Sequence, residues 1–310
     1  MEIKIVKGNT FCIDTGMTYI PFYKINYREI IMLDSGYSNG EREGIAELLK
    51  TNNLKVAAII CTHAHMDHIG NNAYLKEKYK CTIVMPECEA ISCSSIMNLK
   101  LYNNGCNLSE VAEYFGDMVC KTDIMIAPNQ EIIYIYGIKF KIVHTPGHSP
   151  AHICIVTPDD VAYLGDALIG YEVMESAKMP YAYVLAEDLK SKEKLYDLKC
   201  SKYVVAHKNI YDDITELTKL IKDNIKFYKD TANSIYDIIA RNRSMTMEEI
   251  FRAVTQNFNI QIDNRCKYSI MEMIVISYVQ YLNEKGMLDL NMENGFYKYS
   301  KKISVYTNVN

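Results

Sequence analysis

The chain has 310 residues, 49% of them hydrophobic and 23% charged, with a formal net charge of −4. That length exceeds the roughly 100 to 200 residues of a typical domain, so one large domain or a main domain with an appendage is expected, and the ordinary composition excludes disordered, collagen-like and low-complexity classes. There is no cationic surplus to draw nucleic acid or an acidic membrane, and the longest uninterrupted apolar run, Val56 to Cys61, falls far short of the roughly 20 residues that a membrane span needs.

The opening residues read as strands at Glu2 to Val6, Met17 to Ile25 and Glu29 to Leu33, the last ending in Asp34-Ser-Gly36. A helix from Arg42 to Lys50 leads into the buried strand Val56 to Cys61, and a helix from Asn71 to Lys80 leads into the strand Thr82 to Met85, so the units are of βαβ type. From about 91 to 121 the pattern turns helical, with Asn107 and Glu110 in a capping-box arrangement, which suggests an insertion over one edge of the sheet. Short strands follow at Glu131 to Tyr136, Ile138 to Val143, His152 to Val156 and Ala162 to Leu164, then a helix from about Ala186 and a strand from Tyr203 to Ala206. Two such halves facing each other make a sandwich.

After His207 the character changes. An amphipathic helix from Asp212, a second helix from Thr246 and a largely apolar third from Lys267 precede a hairpin with its turn at Asn291 to Gly295, which is the order of a winged helix. The expected domains are therefore 1–208 and 209–310. From Tyr211 onward there are 13 Lys and Arg against 13 Asp and Glu, a balance that argues against DNA reading and for packing on the first domain or on a second copy of the chain. A homodimer is left open. The ten scattered cysteines, none in a C-x-x-C pair, read as reduced thiols of a cytoplasmic protein, most of them small core residues.

The chemistry is concentrated in Cys61-Thr-His-Ala-His-Met-Asp-His-Ile-Gly70, directly after an apolar strand. A chain with only seven histidines places His63, His65 and His68 together with Asp67 inside six residues. Imidazole and carboxylate suit zinc, iron or manganese. Three further candidates repeat the grammar of a ligand just after a strand: His148 in Thr-Pro-Gly-His, Asp166 in Leu-Gly-Asp, and His207. In α/β sheets the carboxyl ends of strands build sites together, and five histidines with two aspartates are enough for two metal ions sharing a carboxylate. His144 and His152 fall outside this set and read as structural. Tyr171 and Tyr181, downstream of Asp166, are candidate oxyanion donors for which a core or surface role is the simpler reading.

The set T-H-A-H-M-D-H, T-P-G-H, L-G-D and a late A-H, with the early L-D-S-G at Leu33 to Gly36, resembles the metallo-β-lactamase-fold hydrolases, and TPGHSPAHICIV followed by YLGDAL is most similar to their glyoxalase II-like branch. The resemblance spans residues 1 to 208. It implies a four-layer αββα sandwich in which His63, His65 and His148 bind one metal, Asp67, His68 and His207 bind a second, and Asp166 bridges them, with Asp67 and Asp166 holding a bridging hydroxide nucleophile and Asp34 bracing the metal loop by hydrogen bonds. An aspartate at 166, where lactam-opening zinc enzymes typically carry cysteine, disfavours antibiotic hydrolysis. The implied activity is hydrolysis of a small ester, thioester or lactone with two divalent ions, zinc foremost. The alternatives are a phosphodiesterase acting on RNA or a nucleotide, a mononuclear-iron sulfur dioxygenase and, from another class, a DNA-binding sensor.

Overall fold

The computed structural model describes residues 1–302. Seven strands form the first sheet in chain order: β1 (Glu2–Lys7), β2 (Thr10–Asp14), β3 (Tyr19–Lys24), β4 (Glu29–Leu33), β5 (Lys55–Ile60), β6 (Thr82–Pro86) and β7 (Ile124–Ile126). The first four are antiparallel neighbours, and β4 to β7 run parallel. Between them lie α1 (Ser38–Thr51), α2 (Met66–Ile69), α3 (Asn72–Tyr79), α4 (Glu87–Ser92), α5 (Ile96–Tyr102) and α6 (Leu108–Phe115). The second sheet contains β8 (Ile132–Ile135), β9 (Ile138–His144), β10 (Ile153–Val156), β11 (Val161–Tyr163), β12 (Lys202–Val204) and β13 (Ile210–Tyr211), in the order β13-β12-β11-β10-β9-β8. Helices α7 (Tyr171–Ser176) and α8 (Leu185–Lys194) interrupt it, and α9 (Ile214–Ala240), α10 (Met247–Asn257), α11 (Arg265–Glu284) and the hairpin β14 (Leu288–Glu293) with β15 (Phe296–Lys301) follow.

The uninterrupted apolar runs of the sequence are strands buried on both faces. Along β4, Ile30 and Met32 point to the helices outside the first sheet, whereas Ile31 and Leu33 point between the sheets, where they meet Ile142, Ile153, Ile155 and Tyr163 of the second. Cys154 and Val156 of β10 face the opposite way, into a core shared with α8, α9, α10 and α11. Period-two alternation therefore distributes one apolar strand between two cores, and three successive cores separate four layers: helix, sheet, sheet, helix.

Two local expectations are corrected. The strand expected from Met17 begins at Tyr19, because Met17 is 61% exposed in a turn, and an unforeseen strand, β2, precedes it. The link between β1 and β2 is only Gly8-Asn9 with Gly8 in the left-handed region, a two-residue hairpin loop of the kind that glycine permits. The helices α4 to α6 start earlier than position 91 and lie against the outer face of the first sheet beside β6 and β7, with Leu99, Val111 and Phe115 in its core. The Asn107 capping box forms as expected, and so does one at Thr246, which starts α10.

Candidate metal centre

Every ligand candidate stands just beyond a strand or on the short helix that follows one. His63 and His65 follow β5; Asp67 and His68 lie on α2; His148 follows β9; Asp166 follows β11; His207 follows β12. The structure brings all seven together in two groups that share Asp166: His63, His65 and His148 on one side, Asp67, His68 and His207 on the other. The two oxygens of Asp166 divide between them. Oδ2 lies 3.3 Å from His148 Nε2 and 4.0 Å from His63 Nε2, while Oδ1 lies 3.3 Å from His68 Nε2 and 3.5 Å from His207 Nε2. His65 Nδ1 is 2.9 Å from His63 Nε2 and 3.1 Å from His148 Nε2, and Asp67 Oδ2 is 3.2 Å from His207 Nε2.

These separations fit a metal. Donors held about 2.0 to 2.1 Å from one ion in a tetrahedron stand roughly 3.3 Å apart. His68 Nε2 and Asp166 Oδ1 are buried without a hydrogen-bond partner, an arrangement that costs on the order of 1 to 3 kcal/mol per group unless something else satisfies them.

The surrounding hydrogen bonds set which ring nitrogens face inward. Asp34, in a left-handed conformation at the end of β4, accepts from the Thr62 backbone N–H at 2.7 Å, the Thr62 hydroxyl at 2.8 Å, His68 Nδ1 at 2.8 Å and the Tyr163 hydroxyl at 2.8 Å. With its own proton given to Asp34, the Thr62 oxygen accepts from His63 Nδ1 at 2.9 Å. Both His63 and His68 thereby carry the proton on Nδ1 and present Nε2 to the centre.

Burial, aided by the neighbouring rings, holds His63 well below the usual imidazole range, and burial holds His148 there too and His65 at about 4, so these three rings are neutral. On the other side Asp166 leads in raising His207 to about 10. Burial opposes charge on His68, yet Asp166, Asp67 and Asp34 together lift its pKa well above normal. Burial likewise opposes charge on Asp67, and the pull of His68 and His207 overrides it to about 2. A neutral triad thus stands beside a charged quartet.

Several contributors carried no signal in the sequence. Glu89, on α4, is buried and accepts from Ala64 N at 3.0 Å, the Ser149 hydroxyl at 2.6 Å and Ala151 N at 2.8 Å, tying the loop of His63 and His65 to the loop of His148. A glutamate in an unremarkable helix gives nothing to read. His152, read as structural, donates from Nδ1 to Thr145 at 2.8 Å and accepts the backbone N–H of Asp166 at 3.1 Å, so it fixes the turn that carries the shared carboxylate. Gly147 has φ +125°, and a Cβ there would collide with the backbone of Glu187 and Asp188, which explains glycine before His148. His144 faces the Gln130 carbonyl at 3.0 Å. Tyr181 packs edge-on against His65 and His148, with its hydroxyl 3.2 Å from that of Tyr102, whereas Tyr171 donates to Asp223 at 2.9 Å and takes no part in the centre.

A cavity of about 240 Å³ opens beside His65, Asp67, His148 and Asp166, and its outer wall comes from α5, α6 and α11. Arg265 donates to the Gly105 carbonyl at 3.1 Å and lies 3.5 Å from Glu110, holding the start of α11 against the inserted helices.

Two back-to-back sheets with histidines and aspartates gathered at their strand ends define a metal-site α/β sandwich, and known proteins resemble it. Residues 23–90 match the metallo-beta-lactamase superfamily. A hydroxyacylglutathione hydrolase of Pelagibacter ubique is 23% identical over 239 residues, 73% of this chain and 84% of that protein. An uncharacterized protein of Aquifex aeolicus is 30% identical over 127 residues, 41% of this chain and 53% of its own, so the chain spans about half the length of that relative. A metallo-beta-lactamase family protein of Thermus thermophilus superposes with a TM-score of 0.65 at 16% identity, covering 92% of this chain and 94% of that one, which shows the shared fold. The comparisons therefore show a metallo-beta-lactamase superfamily match over residues 23–90 and a fold shared over most of the chain.

Proposed function

We propose that the protein is a metal-dependent hydrolase of an acyl bond, an ester, thioester or lactone, with two divalent ions held by the seven residues. The observation that carries this reading is the division of Asp166, one oxygen toward His63 and His148 and the other toward His68 and His207. His63, His65, His148 and Asp166 would hold one ion; Asp67, His68, His207 and Asp166 the other. The nitrogen-rich set favours zinc, with iron or manganese as alternatives. Bound there, such ions polarise a substrate carbonyl and lower the pKa of a water molecule.

The chain's own groups do the positioning. Asp34 and Thr62 fix the tautomers of His68 and His63, Glu89 and His152 fix the loops, and Asp67, ionised at neutral pH, borders the cavity where its oxygen can take a hydrogen bond from the attacking water. The similarity to a hydroxyacylglutathione hydrolase supports an acyl substrate over a phosphodiester.

Elemental analysis of protein purified without chelator should find about two metal ions per chain, alongside turnover of esters, thioesters or lactones. Asp166→Ala should lose metal and activity together, because one side chain serves both groups. A fully active protein with a single iron, or oligoribonucleotides turned over much faster than any acyl substrate, would overturn the reading.

A further inference from the structure

The cavity beside the centre carries the reading to a substrate class. We propose that the substrate is an uncharged ester or thioester whose apolar acyl group, roughly six to ten carbons long, sits in this cavity; the proposal rests on the hydrolase reading above. Apart from the four ligand residues its lining is Ala64, Met66, Phe115, Met118, Ile270 and Met273, with the polar groups of Tyr102, Asn103 and Tyr181. No lysine or arginine lines it among the described residues.

The polar groups are few, neutral and partly engaged with one another or with backbone. The hydroxyls of Tyr102 and Tyr181 share one hydrogen bond at 3.2 Å, which leaves one O–H free, and Asn103 Nδ2 spends one of its two N–H groups on the Leu99 carbonyl at 2.9 Å. A carboxylate or phosphate pushed into this cavity would lose its water and meet only neutral donors, with no cation on the outer wall to offset its charge, a cost of several kcal/mol. An apolar group meets the opposite situation. The volume exceeds the roughly 150 Å³ of an apolar void that accommodates benzene, so a chain of more than six carbons can be seated, and three methionines give the wall a shape that adjusts to its occupant. The cation nearest the centre in sequence, Lys208, borders a different cleft that also contains Glu41, Glu172 and His207. Asp67 borders both spaces, so the scissile bond lies between an apolar acyl pocket and a polar cleft open to the leaving group.

The test is a series of p-nitrophenyl esters, from acetyl to decanoyl, with the metal-loaded full chain. Each added methylene should raise kcat/KM by up to about fourfold until the cavity is filled, and the p-nitrophenyl monoester of adipic acid, which is anionic, should fall at least tenfold below the hexanoyl ester. Octanamide, uncharged and not hydrolysed, should bind the metal-free protein in calorimetry, and Met273→Lys should abolish that binding with metal content unchanged while raising turnover of the adipic monoester. If esters are hydrolysed with no dependence on chain length, or the anionic ester matches the neutral one, the acyl-pocket assignment is overturned and the hydrolase reading survives. If no acyl substrate is turned over by protein with both metal groups filled, both are overturned.

Discussion

Glu89 holds the centre together without facing it. Its two carboxylate oxygens collect three donors from the two loops that present His63, His65 and His148, and all three partners are donors, so the ionised form is the one that fits even though burial pushes its pKa up. Replacing it with glutamine puts an amide N–H₂ against at least one N–H or O–H donor. Glu89→Gln should weaken metal affinity by about 10- to 100-fold, the usual consequence of disturbing the partners behind a ligand, and a competitive chelator titration would measure it; unchanged affinity would show the two loops to be independent. The buried imidazoles make a separate prediction for the metal-free protein. His65 and His152 have pKa values lowered from 6.5 to about 4 and about 3, with burial as the leading cause, so the unfolded chain binds more protons and stability falls as pH drops below about 6.5. His207 is raised to about 10 by Asp166, so its contribution is complete below about 6.5 and is lost as pH rises toward 10. Each group changes stability by about 1.4 kcal/mol per pH unit inside its window, and urea unfolding of chelated protein should peak near pH 6.5. A flat profile between pH 5 and 9 would contradict it. Single residues were legible where types cluster against a low background: His63, His65, Asp67 and His68 stood out by spacing, His148, Asp166 and His207 by their place after strands, and Asp34 through the family resemblance. Glu89 was not, because its role depends on a partner, Ser149, that lies 60 residues away in sequence.

Helix α8 shows what an element's pattern conceals. Its Lys192 is fully buried, 2.7 Å from the buried Asp188 one turn earlier and 4.3 Å above the ring of Tyr228 on α9. Removing one partner of such a pair leaves an uncompensated charge in the core, whereas replacing both with apolar groups of similar volume is often close to neutral. Lys192→Met alone should therefore cost about 3 to 5 kcal/mol, and adding Asp188→Leu should recover most of it in chemical denaturation; equal stability of the single and double variants would mean that the charge is solvated. A lysine four residues after an aspartate has the spacing of a pair on an exposed helix face, so nothing in the spacing marks this one as buried. Strands were easier to find than to bound. Those buried on both faces stood out as apolar runs, while β2 and β7, short and set off by tight links, were lost.

At the scale of the molecule, the change of character after His207 is real in the sequence but not in the packing. Leu217, Leu220 and Ile221 of α9 share one core with Ala162 and Tyr203 of the second sheet and with Tyr278 and Leu282 of α11, so the apolar interior runs through position 208 without a break. Pattern shows where helices lie along a chain, and it does not show which faces meet. The apolar girth of the third helix fits the burial of α11, two of whose side chains, Ile270 and Met273, reach the cavity. No helix among the described residues is long and apolar enough to cross a membrane.

Asp34 also has a bearing on time. The residues it joins come from both sheets, Thr62 and His68 beyond β5 and Tyr163 at the end of β11, and each ligand group likewise needs side chains from both, from positions 63 to 68 and from 148 to 207. Neither half of the chain can present a complete set of donors by itself, so these contacts close only after the sheets have docked. Interactions made after the folding barrier slow the way back across it and leave the forward rate alone. Saturating metal should therefore lengthen the unfolding lifetime many-fold while the refolding rate measured by stopped flow stays the same; faster refolding in the presence of metal would place assembly of the centre before the sheets meet.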